Sequence, residues 1–182
     1  MDITNFENTF ANYSIDMYNR NAYQAAQDFS DKKMKKGTVL AIFGLPGTGK
    51  TTLLQAVANH YNKQDASTIR YLTEAELKEE LKLAKSRKDI FMLTPKRKLW
   101  GIETVCLDEV DKLISDDEIQ SRFIRWLNYC KRHSKRIIYT YDCDEKMYCA
   151  FQELSKLDPK TIAVGIPKPG QNRNMEVIKF IE

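Results

Sequence analysis

Apolar residues in this chain fall into short dense runs, separated by longer stretches in which they recur every three or four positions. The runs Thr38–Phe43, Thr68–Leu72, Thr104–Leu107, Arg136–Tyr141 and Thr161–Ile166 are rich in β-branched and aromatic residues and lack strict apolar–polar alternation. That pattern predicts five strands buried on both sides, as in a mostly parallel sheet covered by helices. The intervening stretches Thr51–His60, Glu74–Arg87, Asp116–His133 and Asp144–Leu157 carry the helical period. In the third, Ile119, Phe123, Leu127 and Cys130 share one face while Arg122, Arg125 and Lys131 fall elsewhere. Strand and helix in alternation predict a three-layer α/β sandwich. The tail MEVIKFIE fits either a last strand or the stub of a helix.

A polar break, KKMKKG at Lys32–Gly37, sets a prelude apart from this body. Within the prelude, Ala22, Tyr23, Ala26 and Phe29 sit at helical spacing over about Asn19–Phe29, and Phe6, Phe10 and Tyr13 are aromatic anchors ahead of them. The expected organisation is one unit: a lead-in over 1–36, a core over 37–166 and an extension over 167–182. With 182 residues and 42% hydrophobic content the chain has the size of one domain with a real core. It has no run of about 20 apolar residues, and its first residues are acidic and polar, so a soluble cytoplasmic protein without a membrane partner is expected. Cys106, Cys130, Cys143 and Cys149 form no CxxC pair, which points to reduced structural thiols.

The net charge of +4 matters because of where it lies. Between Lys78 and Lys98 eight basic residues face three acids, and between Ile119 and Arg136 six basic residues face none. Charge segregated in this way suits phosphate neutralisation, and it also suits two ordinary solvated helix faces.

Candidate chemistry centres on GLPGTGKT. Gly44, Gly47, Gly49, Lys50 and Thr51 satisfy G-x-x-x-x-G-K-[ST] between an apolar strand and a helical run, the context in which this loop cradles phosphates. The loop positions Gly44, Pro46, Gly47, Thr48, Gly49, Lys50, Thr51 and Thr52 are candidate ATP contacts. Lys50 is expected to reach the β- and γ-phosphates, and the Thr51 hydroxyl to ligate Mg²⁺. One strand-and-helix unit later, IETVCLDEVDKL ends an apolar strand in Asp108 and Glu109, at the edge where open α/β sheets bind ligands. Asp108 is expected to hold Mg²⁺ directly or through water, and Glu109 to orient or deprotonate an attacking water. Asp111 reads as a helix-capping or surface acid. Loop and acid pair together point to nucleotide hydrolysis.

These residues resemble the AAA+ ATPases of the P-loop NTPase fold. The lead-in residues Phe10, Tyr13, Asn19, Ala22 and Ala26 are similar to those of the clade that holds DnaC-type helicase loaders, DnaA-type replication initiators and IstB-type transposition helpers. The resemblance covers about Asn5 to Ile166. It implies an adenine pocket lined by Tyr13 or Ile15, and a residue sensing the γ-phosphate at the end of the fourth strand, for which Asp142 is the choice. It also implies that the basic region Lys78, Lys82, Lys85, Arg87, Lys88, Lys96, Arg97 and Lys98 faces single-stranded DNA, with Lys78, Lys82 and Lys85 forming one stripe and with Phe91 and Trp100 available to stack. A replicative helicase or initiator is the implied protein partner, and a nucleotide-dependent homo-oligomer the implied assembly.

Two departures from the family bear on turnover. FQELSKLDPKTIAV carries lysines where members offer an arginine finger, and only Arg173 stands near where the small helical lid, expected here to be absent or truncated, would supply another arginine. Slow or partner-dependent hydrolysis is the expectation. Two other readings stay open: an ATP-dependent interaction module with little turnover, and a P-loop kinase of a nucleoside or nucleotide.

Overall fold

The computed structural model describes residues 7–83, 101–143, 147–168 and 177–179. In chain order its elements are α1 (Arg20–Ser30), β1 (Val39–Gly44), α2 (Lys50–Asp65), a 3-10 turn (Ala66–Thr68), β2 (Ile69–Leu72), α3 (Glu74–Leu83) and β3 (Thr104–Leu107). There follow α4 (Val110–Leu113), α5 (Asp117–Arg132), β4 (Arg136–Asp142), α6 (Met147–Leu157), β5 (Ile162–Ile166) and β6 (Val177–Lys179). The strands form one sheet in the order β2-β3-β4-β1-β5-β6. β1 to β5 run parallel, and β6 pairs antiparallel with β5, placing Ile178 opposite Ala163.

Period two along the strands assigns each side chain to a layer. On β1, Leu40 and Ile42 face α1 and α2, while Val39, Ala41 and Phe43 face α3, α5 and α6. Both sets are buried, which is why the strand sequence shows no polar alternation. α1 buries Ala22, Ala26 and Phe29, the small residues allowing close approach and Phe29 filling the gap. The lead-in is also bonded to α2: Asn8 Nδ2 donates to Gln55 Oε1 at 2.6 Å, and Asn59 Nδ2 donates to the Asn8 carbonyl at 2.5 Å.

Helix starts follow local chemistry. Asp116 caps α5 by accepting the N–H groups of Glu118 and Ile119. Thr73 and Glu76 form a reciprocal capping box at α3: the Glu76 carboxylate takes the Thr73 N–H at 3.0 Å, and Thr73 Oγ1 takes the Glu76 N–H.

The sandwich is the expected one, with differences in detail. Among the described residues the sheet has six strands, because the tail supplies β6, an assignment that only pairing with β5 decides. α2 runs on to Asp65, because Tyr61 is buried and keeps the helix docked through a polar last turn. α4, of four residues, is too short to carry a period. The helix expected over Glu74–Arg87 is described to Leu83, and the one expected over Asp144–Leu157 from Met147. Cys106, Cys130 and Cys143 are buried thiols outside any disulfide. Among the described residues no helix is long and apolar enough to cross a membrane.

Phe29 is 0% exposed under the sheet, so Phe29→Ala is expected to cost about 3–5 kcal/mol in urea denaturation. A cost below about 1 kcal/mol would show that α1 is not part of the cooperative core.

Candidate nucleotide site

β1 ends at Gly44 beside the fifth strand, where nothing larger fits: a Cβ there would lie 2.6 Å from the Ile166 carbonyl oxygen. At the other end of the loop Gly49 has φ +87°, a left-handed conformation that caps α2, and a Cβ on it would sit 3.1 Å from the Tyr13 hydroxyl. Between them Pro46 and Gly47 are exposed, and Thr48 Oγ1 donates to the Leu45 carbonyl at 2.9 Å. Thr51 and Thr52 occupy the first turn of α2, which has no acid in it. A glycine-rich turn feeding a 16-residue helix presents N–H groups and a positive helix end, an anion site by construction.

Lys50 is buried, 5% exposed at its side chain, and its ammonium is fully engaged. It donates to the carbonyls of Gly44 at 3.0 Å and Leu45 at 2.6 Å, and pairs with Asp142 Oδ1 at 2.8 Å. The last contact follows from sheet register, since Gly44 on β1 lies opposite Asp142 on β4. Sequence spacing alone gives no sign of it.

Asp108, one residue beyond β3, accepts three hydroxyl hydrogen bonds. Thr51 and Thr140 donate to Oδ1 at 3.1 and 2.5 Å, and Tyr71 donates to Oδ2 at 2.8 Å. Thr51 Oγ1 and Asp108 Oδ1 are both hard oxygens, and their 3.1 Å separation is close to that of neighbouring ligands around Mg²⁺, about 2.9 Å for bonds of about 2.0–2.1 Å. The donor set therefore suits magnesium.

Glu109 is held in the left-handed region at φ +56°, an uncommon conformation for a non-glycine residue and one often found at functional turns. Its N–H is fixed by Thr140 Oγ1 at 2.8 Å. Its carboxylate pairs with Lys112 at 2.6 Å, and that bond raises the pKa of Lys112. Asp111, half-buried in the first turn of α4, also reaches β4: Oδ1 accepts the Asp142 N–H at 2.9 Å, and burial pushes its carboxyl pKa up. The carboxyl ends of β3 and β4 are thus cross-linked at two points.

Tyr13 packs behind Gly49, 8% exposed and stacked on Tyr23 at 5.7 Å between ring centroids. Burial first, then the charge of Asp16, pushes its pKa up to about 12 against an opposing effect of Asn19. Ile15, by contrast, is 48% exposed.

The basic positions separate sharply. Lys78 pairs with Glu74 at 3.4 Å and is half-buried, whereas Lys82 is exposed. Lys85, Arg87, Lys88, Lys96, Arg97 and Lys98, with Phe91, Trp100 and Arg173, lie outside the described residues. The second basic stretch is mostly engaged within the fold: Arg122 bonds Glu118 and the Leu81 carbonyl, Lys131 pairs with Asp158, Lys135 donates to the Ile102 carbonyl, and Arg136 pairs with Glu103. Arg125 and Arg132 remain exposed.

A phosphate loop between β1 and α2, an acid pair after β3, and β4 inserted between those two strands so that its last residue meets the loop lysine define a P-loop NTPase of the AAA+ class. The chain belongs to the bacterial DnaA ATPase domain family, whose model matches residues 4–160. Among curated relatives, the chromosomal replication initiator DnaA of Nautilia profundicola is 27% identical over 177 residues, 95% of this chain and 39% of that protein. The chain thus spans little more than a third of that relative's length. Of solved structures, a replication initiator DnaA bound to AMPPCP and single-stranded DNA aligns with TM-score 0.69 at 21% identity, over 93% of this chain and 52% of that one. A DnaC helicase loader aligns with TM-score 0.62 at 16% identity, over 83% and 86% respectively.

Removing Asp142 would leave a nearly buried ammonium without its counter-charge. Asp142→Ala is expected to cost about 1–3 kcal/mol in urea denaturation, and much less when introduced beside Lys50→Met. Equal costs on the two backgrounds would contradict the pairing.

Proposed function

We propose that this chain is the ATP-binding and slowly hydrolysing part of an AAA+ protein acting in DNA replication, as a helicase loader or an initiator-like ATPase. The observation that carries this reading is the Thr51–Asp108 contact at 3.1 Å, with Glu109 next in sequence and Lys50 at the head of the same helix. The loop amides and the start of α2 would hold the phosphates. Lys50 would exchange the Asp142 carboxylate for the β- and γ-phosphates, leaving Asp142 facing the γ-phosphate. Magnesium, held by Thr51 and Asp108, would neutralise charge on the phosphoryl oxygens. Glu109 would orient the attacking water and take its proton on the side-chain carboxylate. Tyr13, whose hydroxyl lies against Gly49, or Ile15 would line the adenine pocket that the resemblance implies.

For partners, the reading takes single-stranded DNA along the basic segment Lys78–Lys98, and a replicative helicase or initiator protein, with copies of the chain assembling when nucleotide is bound. Support comes from the relatives' names: the aligned initiator holds single-stranded DNA and the aligned loader serves a helicase. A second reading, an ATP-dependent interaction module with little turnover, draws on the Glu109–Lys112 pair at 2.6 Å, since Glu109 would have to leave that ammonium before its carboxylate could reach a water.

Two outcomes are expected. The isolated chain turns over ATP more slowly than about 1 per second and faster with single-stranded DNA, and Glu109→Gln keeps ATP binding while losing about 100-fold or more of that rate. A rate unaffected by Glu109→Gln contradicts the assignment; ATP binding without measurable turnover favours the interaction module. Combined Lys78→Glu, Lys82→Glu and Lys85→Glu weakens single-strand affinity and flattens its dependence on salt in a fluorescence-anisotropy titration. Unchanged affinity and salt slope remove these lysines from the DNA path.

A further inference from the structure

Tyr71 lies on β2, outside both phosphate motifs, yet it reaches the carboxylate on which the site turns. Register explains how. Tyr71 pairs with Cys106 across the β2–β3 ladder, and both face the α1/α2 layer. Two residues on, Asp108 returns to that face. Tyr71 and Asp108 are therefore diagonal neighbours, a spacing that an aromatic side chain spans. On the far side Thr140 of β4 lies on the same face, two residues beyond Ile138, and α2 brings Thr51 over the row. The carboxylate is gripped at Oδ2 by Tyr71 and at Oδ1 by Thr51 and Thr140.

The terminal torsion of an aspartate is broad, so its orientation is set by its hydrogen bonds. We propose that Tyr71 is a positioning residue for the metal site: its hydroxyl holds Asp108 Oδ2, which keeps Oδ1 turned towards Thr51. The inference rests on reading Thr51 and Asp108 as the magnesium pair. Tyr71 is 5% exposed, so its ring is fixed by packing and the donor is pre-aimed.

Tyr71→Phe keeps the ring and deletes only the donor. The test is binding of Mn²⁺ to the chain in the presence of ADP, followed by the electron paramagnetic resonance signal of free Mn²⁺. Fluorescent-ADP binding in EDTA and urea denaturation are measured alongside. Tyr139→Phe, which deletes a buried phenol on the opposite face of the sheet, serves as control. The expected result is about a 10-fold loss of Mn²⁺ affinity in Tyr71→Phe, with metal-free ADP affinity retained, the urea transition still cooperative, and Tyr139→Phe behaving like the wild type towards Mn²⁺. If Asp108→Ala weakens Mn²⁺ binding and Tyr71→Phe does not, Tyr71 is a core residue and this inference alone is overturned. If Asp108→Ala leaves Mn²⁺ binding unchanged, the metal-pair reading falls and takes the inference with it.

Discussion

The insertion of β4 between β1 and β3 is the constraint on which the site depends. It places Asp142 opposite Gly44, so that the ammonium of Lys50 has a carboxylate to meet, and it places Thr140 beside Asp108, so that one hydroxyl fixes both the Asp108 carboxylate and the Glu109 N–H. Were β1 and β3 direct neighbours, neither contact would form. The parallel sheet has aligned the carboxyl ends of its five parallel strands at one edge, and the order of its strands decides which side chains meet there.

Two kinds of interaction hold the site, and they respond differently to a ligand. Asp108 is tied by neutral hydroxyls on both sides of its row, an arrangement that fixes its direction without adding charge. Lys50 is tied by a carboxylate and two carbonyls in a nearly water-free place, where an unpaired charge is costly. In the proposed function a phosphate entering the loop would compete for the second set, while the accompanying magnesium would draw on Thr51 and Asp108 of the first. Release of Asp142 by Lys50 would then be felt on β4, and through the Asp111–Asp142 bond on α4.

Much of this was legible in the sequence, for identifiable reasons. The five parallel strands could be read because both their faces are apolar, and the loop because its glycines answer geometric demands: Gly44 abuts the Ile166 carbonyl and Gly49 turns left-handed against Tyr13. Contacts that depend on register were hidden. The Lys50–Asp142 pair, the Asp111–Asp142 bond and the reach of Tyr71 all require knowing which strands are neighbours, and a tyrosine in an apolar run reads simply as core. The partners of the second basic stretch were hidden for a related reason: its charges are met by Asp158, Glu103 and Glu118, and the first two are distant in sequence from the residues they pair with. The sixth strand is equally a matter of pairing, since MEVIKFIE has no strand signal strong enough to stand alone.

The central claim is that Lys50, Thr51 and Asp108 form one triphosphate site at the head of α2. The most direct measurement is a crystal structure of the chain with a non-hydrolysable ATP analogue and Mn²⁺, located by its anomalous scattering. The account predicts Mn²⁺ beside Thr51 and Asp108, with the Lys50 ammonium moved from Asp142 to the phosphates. Nucleotide bound elsewhere, or bound here with Lys50 still paired to Asp142 and the metal away from Asp108, would contradict it.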